Sequence, residues 1–132
     1  TGTAWDPLLS VDVTPGAGFN QYCMVVCSAD AGNPYVFGSS SDYHIAVTMA
    51  GVVVGGSERR FEFEADPNVP DINWINVSTT AAFALPALAR TISCSVRKDT
   101  VSDPNMTITD SSMSMVCEDI EIDNNPALPQ IP

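Results

Sequence analysis

Residues 20 to 30 read NQYCMVVCSAD, with Cys23 and Cys27 four positions apart inside an apolar run. On a helix that spacing stacks both sulfurs on one face, as metal and haem sites require; on a strand they share a face but stand far apart. Val25 and Val26 favour extended chain, the helical period is poor, and Pro15, Gly16, Gly18, Gly32 and Pro34 bracket the segment closely. The stretch therefore reads as a strand. Cys23, Val25 and Cys27 point the same way, and the two cysteines are about 13 Å apart, four rises of about 3.3 Å. A disulfide needs Cα atoms within about 7 Å, so Cys23 and Cys27 do not bond to each other. If bridges form, each takes one of Cys94 and Cys117, tying an early strand to two late ones. Bridges across a sandwich and four reduced thiols packed as small apolar groups both suit inward-facing cysteines. A four-thiolate zinc site is the sharper reading, but the tight C-x2-C knuckles it favours are absent.

Period-two alternation recurs on either side of that segment. LLSVDVT (8–14) places Leu9, Val11 and Val13 on one side, and YHIAVTM (43–49) does the same for Tyr43, Ile45, Val47 and Met49. RFEFEA (60–65) sets Phe61 and Phe63 against Glu62 and Glu64. TISCSV (91–96) aligns Ile92, Cys94 and Val96 against Thr91, Ser93 and Ser95, and SMSMVC (112–117) aligns Met113, Met115 and Cys117. Such strands are half-buried, apolar inward and polar outward. Ten prolines and eight glycines punctuate the chain and leave little room for helices. The helix formers of STTAAFALPALAR (78–90) are interrupted by Pro86, so a strand ending at Leu85 and then a turn is expected.

Eight or nine short strands in 132 residues give an all-β chain, a single-domain antiparallel β-sandwich. A jelly roll is preferred over an immunoglobulin-like arrangement, because Trp74 between Cys27 and Cys94 meets the immunoglobulin pattern only loosely. Residues 1–18 read as an N-terminal arm and first strand, 19–122 as the sandwich core, and 123–132, with three prolines, as an extended C-terminal arm. The start at Thr1, without Met or an apolar leader, reads as a trimmed chain.

Sixteen acidic residues against five basic ones leave a formal charge of −11, which repels phosphate backbones and anionic bilayers. Nucleic acid is thereby excluded as a partner. Mean hydropathy is +0.09, and no apolar run approaches the ~18 residues of a spanning helix, so no membrane insertion is expected.

His44 is the sole histidine, and its alternation with Tyr43 and Ile45 sends it toward solvent. No G-x-S-x-G presents a nucleophile to it, so no catalytic residue is assigned. Glu62 and Glu64 share one strand face and read as solvated rather than as a glycosidase pair. Asp66, Asn68, Asp71, Glu118, Asp119, Glu121 and Asp123 offer hard oxygens for Ca2+, but their spacing matches no twelve-residue calcium loop, and no cofactor is assigned. Asn76-Val77-Ser78 and Asn105-Met106-Thr107 fit the glycosylation acceptor pattern. Trp5, Trp74, Tyr35, Phe37 and Tyr22 are candidates for a sugar-stacking face, although packing or subunit contact explains them as well, with Ile72 and Ile75 beside Trp74 and Trp5 in the N-terminal arm.

Between about residues 43 and 118 the chain reads YHIAVTMAGVVVGGSERRF, then STTAAFALPALARTISCSV, then MTITDSSMSMV. This order resembles small jelly-roll modules of phage particles and bacterial surface proteins, distantly akin in shape to the tumour-necrosis-factor-like fold. Such modules carry Gly where this chain has Ala87-Leu88-Ala89-Arg90. The resemblance implies a non-enzymatic structural or assembly protein: a trimer or higher homo-oligomer that decorates, cements or extends a virion surface or extracellular filament, with itself and a capsid or filament scaffold as partners. The terminal arms suit that role, because Trp5, Leu8, Leu128 and Ile131 can be buried against a neighbour. The alternative is a secreted binding module associated with carbohydrate or calcium.

Overall fold

The computed structural model describes residues 2–15, 19–33, 40–63, 73–85 and 88–121. Eight strands and no helix lie among the described residues: β1 (Asp6–Val13), β2 (Phe19–Asn33), β3 (Ser41–Met49), β4 (Val52–Val53), β5 (Arg59–Phe63), β6 (Asn73–Leu85), β7 (Arg90–Lys98) and β8 (Thr107–Glu121). They form two antiparallel sheets packed as a β-sandwich. One has the order β1-β7-β3, with β4 and β5 sharing the far edge of β3; the other has the order β6-β2-β8. β6 ends at Leu85, where Pro86 removes the next ladder donor. The β3–β4 hairpin turns through Ala50 and Gly51, both at positive φ, as a two-residue turn matched to strand twist requires.

The alternating apolar residues meet between the sheets. Cys23, Val25, Cys27, Tyr43, Ile45, Val47, Leu85, Ile92 and Val96 are all at most 2% exposed. Each buried aliphatic side chain contributes about 1.5–3 kcal/mol relative to an exposed one. Tyr43 stacks on Phe61 and meets Phe63 edge-on, with centroids 5.7 and 5.6 Å away, and its hydroxyl donates to the Pro104 carbonyl oxygen at 2.6 Å. Burial pushes the Tyr43 hydroxyl above its ordinary pKa.

β2 carries both staples. Cys27 bonds to Cys94 of β7 across the sandwich, whereas Cys23 bonds to Cys117, its directly opposed neighbour on β8 in the same sheet. The cysteines are therefore bridged, with the early strand tied to the two late ones. Only one of the bridges crosses between layers. Two disulfides point to an oxidising environment, extracellular or secreted.

Two irregularities matter for the surface. In β1 the register shifts between Pro7 and Leu9, and Leu8 packs on the core. In the β2–β8 ladder Ala29 opposes Ser111 and Ala31 opposes Ile108, so Thr109 and Asp110 together face Asp30.

Candidate functional site

Among the described residues, β1 and β8 are the terminal strands of their respective sheets, and they border the same side of the sandwich. Leu9, Ser10, Val11, Met113 and Met115 line a cleft of about 400 Å3 between them. Leu9 and Val11 pair with the inward-facing Cys94 and Ile92, which puts them on the interior side of the sheet, yet Val11 is 36% exposed. Here the sheets do not close over their own apolar lining. Residues 7–11 and 111–117, the central stretches of the two border strands, carry no charge. Charged side chains along an edge are the usual protection against strand addition, and these stretches lack it.

A second feature sits on the outer face of the β1-β7-β3 sheet. His44 Nε2 lies 2.7 Å from Asp99 Oδ1, and Nδ1 lies 2.9 Å from Glu58 Oε2, the latter off the line of a hydrogen bond. Arg97 reaches Glu58 at 3.5 Å and lies over the Trp5 ring, 5.1 Å from its centroid. The hydrogen bond to His44 holds the Asp99 carboxyl below its ordinary pKa. Through these contacts the His44 ring links β3 to the β4–β5 turn and to the end of β7.

The third feature is the outer face of β6-β2-β8. Trp74, Asp30, Ile75, Asn76 and Thr109 line a groove of about 320 Å3. A smaller one of about 130 Å3 adjoins it, sharing Asp30 and Asn76 and adding Ser28, Asp110, Ser111 and Ser112. Asn76 Nδ2 donates to Asp30 Oδ1 at 2.9 Å and to Ser28 Oγ at 3.2 Å, which fixes the amide. Farther along this face Met24, Val26 and Val116 are exposed.

The sequence-derived residues are scattered among these features. His44 is not solvent-facing as its alternation suggested: it is 7% exposed, because β3 is a central strand covered on both faces. Ser93, Ser95 and Thr48 on the same outer face are also buried, and the Thr48 and Ser95 hydroxyls satisfy each other at 2.8 Å. Trp74 is 48% exposed instead of packed, and Tyr22 lies on the same outer face ten residues along the ladder, so the two do not form one platform. Trp5 packs under Arg97 of its own chain, and Leu8 packs on its own core. Leu128, Ile131, Tyr35 and Phe37 lie outside the described residues, as do Glu64, Asp66, Asn68, Asp71 and Asp123.

Glu62 is exposed on β5. Asp119 accepts a hydrogen bond from Gln21, and no cluster of three or more metal-ligating side chains occurs among the described residues. Asn76 and Asn105 are both exposed. The bulge that sets Thr109 and Asp110 against Asp30 left no mark in the sequence, since period-two reading assumes an unbroken ladder. No protein-family model, curated protein or solved structure matches this chain.

Proposed function

We propose that this chain is a non-enzymatic structural protein, an exported β-sandwich subunit that assembles with copies of itself into the coat of a particle or an extracellular filament. The observation that carries the reading is the β1/β8 cleft, where an inward-facing apolar lining is left open between two border strands whose central stretches are uncharged. A second copy fits that opening: strand addition satisfies the border backbone groups while alternate apolar side chains fill the cleft. A formal charge of −11 keeps such a subunit soluble before it assembles. Two staples suit a protein exposed to the outside. All four cysteines are taken up in disulfides, which leaves none of them as a nucleophile and supports a non-catalytic role. The likeness to phage-particle and bacterial-surface jelly-roll modules points the same way.

Light scattering tests this. The parent chain should form a defined oligomer at high concentration, and Val11→Glu together with Met115→Glu should return it to monomer with its far-ultraviolet spectrum unchanged. A parent chain that stays monomeric removes the reading. The alternative, a secreted binding module, rests on a different part of the surface.

A further inference from the structure

We infer that the groove bounded by Trp74, Asp30, Asn76, Thr109 and Asp110 is a binding site for a neutral carbohydrate chain. This goes beyond the assembly reading and does not depend on it, because the groove lies on the outer face of β6-β2-β8, away from the lining of the β1/β8 cleft.

Exposed apolar residues are common singly and carry no argument by themselves. What sets Trp74 apart is its setting. It stands at the wall of a groove whose other walls are all polar except Ile75, and that groove runs directly into a second one lined by hydroxyls and carboxylates. The irregular pairing of β8 creates this arrangement. A regular ladder would place one residue opposite Asp30; here Thr109 and Asp110 both stand there, which concentrates polar side chains around a strand position already facing outward.

The side chains define the ligand chemistry. An indole face offers a flat, electron-rich surface for the C–H faces of a sugar ring, with little conformational entropy to lose. Because Asn76 Nδ2 is committed to Asp30 and Ser28, its Oδ1 remains as an acceptor. The second Asp30 oxygen and the Asp110 carboxylate are acceptors too, and the Thr109 and Ser112 hydroxyls both donate and accept. Acceptor-rich walls with hydroxyls interspersed complement a ligand made of hydroxyl donors. No Lys or Arg lines either groove, and two carboxylates do, so phosphorylated, sulfated and uronic ligands are repelled.

An organic cation would also meet carboxylates and an indole, but cation recognition relies on several rings closing around the charge, and among the described residues Trp74 is the one ring at this open groove. From Trp74, opposite Gly32, to Ser112, opposite Ser28, the strand advances about four residues, or about 13 Å, which suits several linked sugars better than one.

The test is a titration of the full chain with neutral gluco-, xylo-, manno- and galacto-oligosaccharides, followed through the Trp74 indole N–H resonance. The Trp5→Phe background identifies that resonance. At least one oligosaccharide should shift it in a saturable way. Trp74→Ala should abolish binding, and Asp30→Asn should weaken it by at least about tenfold, since a hydrogen bond to a charged group is lost. Unchanged thermal midpoints and an unchanged oligomeric state in both variants show that the site, not the fold or the assembly, was affected. Absence of any shift across the panel at millimolar concentration overturns the inference. So does binding that survives Trp74→Ala, or a saturable shift produced by tetramethylammonium alone.

Discussion

Removing the bridge between the sheets gives the most quantitative check on this architecture. Cys27 and Cys94 are 67 residues apart in sequence, and Cys23 and Cys117 are 94 apart. In the chain-entropy account, closing loops of this size stabilises the folded protein by about 4–5 kcal/mol per bridge taken singly. The logarithmic dependence on loop length makes the two bridges differ by only about 0.3 kcal/mol. Because Cys23–Cys117 remains and already closes the chain around both positions, the loop that the second bridge closes is effectively shorter, and Cys27→Ala with Cys94→Ala should cost about 3 kcal/mol, a large share of the roughly 5–15 kcal/mol that holds a domain together. The thermal midpoint should fall by on the order of 10 °C. Both sulfurs are buried, at 0% and 2% exposure, so the alanines also leave small voids that add to the loss. Guanidinium unfolding followed by tryptophan fluorescence measures the change, and thiol titration of the unreduced, denatured parent should find no free thiols. A variant within about 1 kcal/mol of the parent, or four reactive thiols in the parent, would refute the reasoning.

Three further outcomes are expected. Asp99 has its pKa depressed by His44, so the stability it adds is present above its unfolded value near 3.8 and is lost as the pH falls through the lower folded value; acid unfolding of Asp99→Asn should begin from a less stable protein and lack that component. Tyr43 is the opposite case: its raised pKa adds stability that is full below its ordinary value of 10.0 and lost as the pH climbs through the folded value, and Tyr43→Phe should remove this alkaline step while costing about 1 kcal/mol at neutral pH for the lost bond to the Pro104 carbonyl. Ser57 is fully buried; its Oγ accepts from the Val47 amide at 3.1 Å and donates to the Val54 carbonyl at 2.7 Å, so Ser57→Ala should lower stability by about 1–3 kcal/mol in urea unfolding by leaving the buried Val47 amide unpaired, while the Val54 carbonyl keeps its bond from the residue-57 amide.

The strands and the permitted cysteine partners were legible because each rests on local geometry. Side chains alternate every residue, and a strand is too long for Cys23 to reach Cys27. The end of β6 was legible from Pro86 for the same reason. Exposure was not. Alternation separates the two faces of a strand without saying whether the outer one is covered, and that is why His44, Ser93 and Ser95, polar residues on central strands, are buried rather than solvated. Trp74 illustrates the converse, since neighbouring isoleucines suggested packing while its own parity sent it outward. Which cysteine met which depended on strand order, a long-range property. The β1/β8 cleft and the Trp74 groove depend further on register shifts and on where the sheets fail to cover each other, and one-dimensional spacing carries no trace of either.

Position 23 joined to position 117 also decides how the molecule bears tension. A pull on the two ends of the chain is carried through that covalent link, so the 93 residues between the linked positions cannot be drawn out while it holds. Only the stretches outside it, residues 1–22 and 118–132, can be straightened, and they reach about 130 Å where the whole chain would reach about 450 Å. Among the described residues, β1 is the one complete strand in the extensible part. Loading the ends would therefore peel away one wall of the β1/β8 opening first while most of both sheets stays intact.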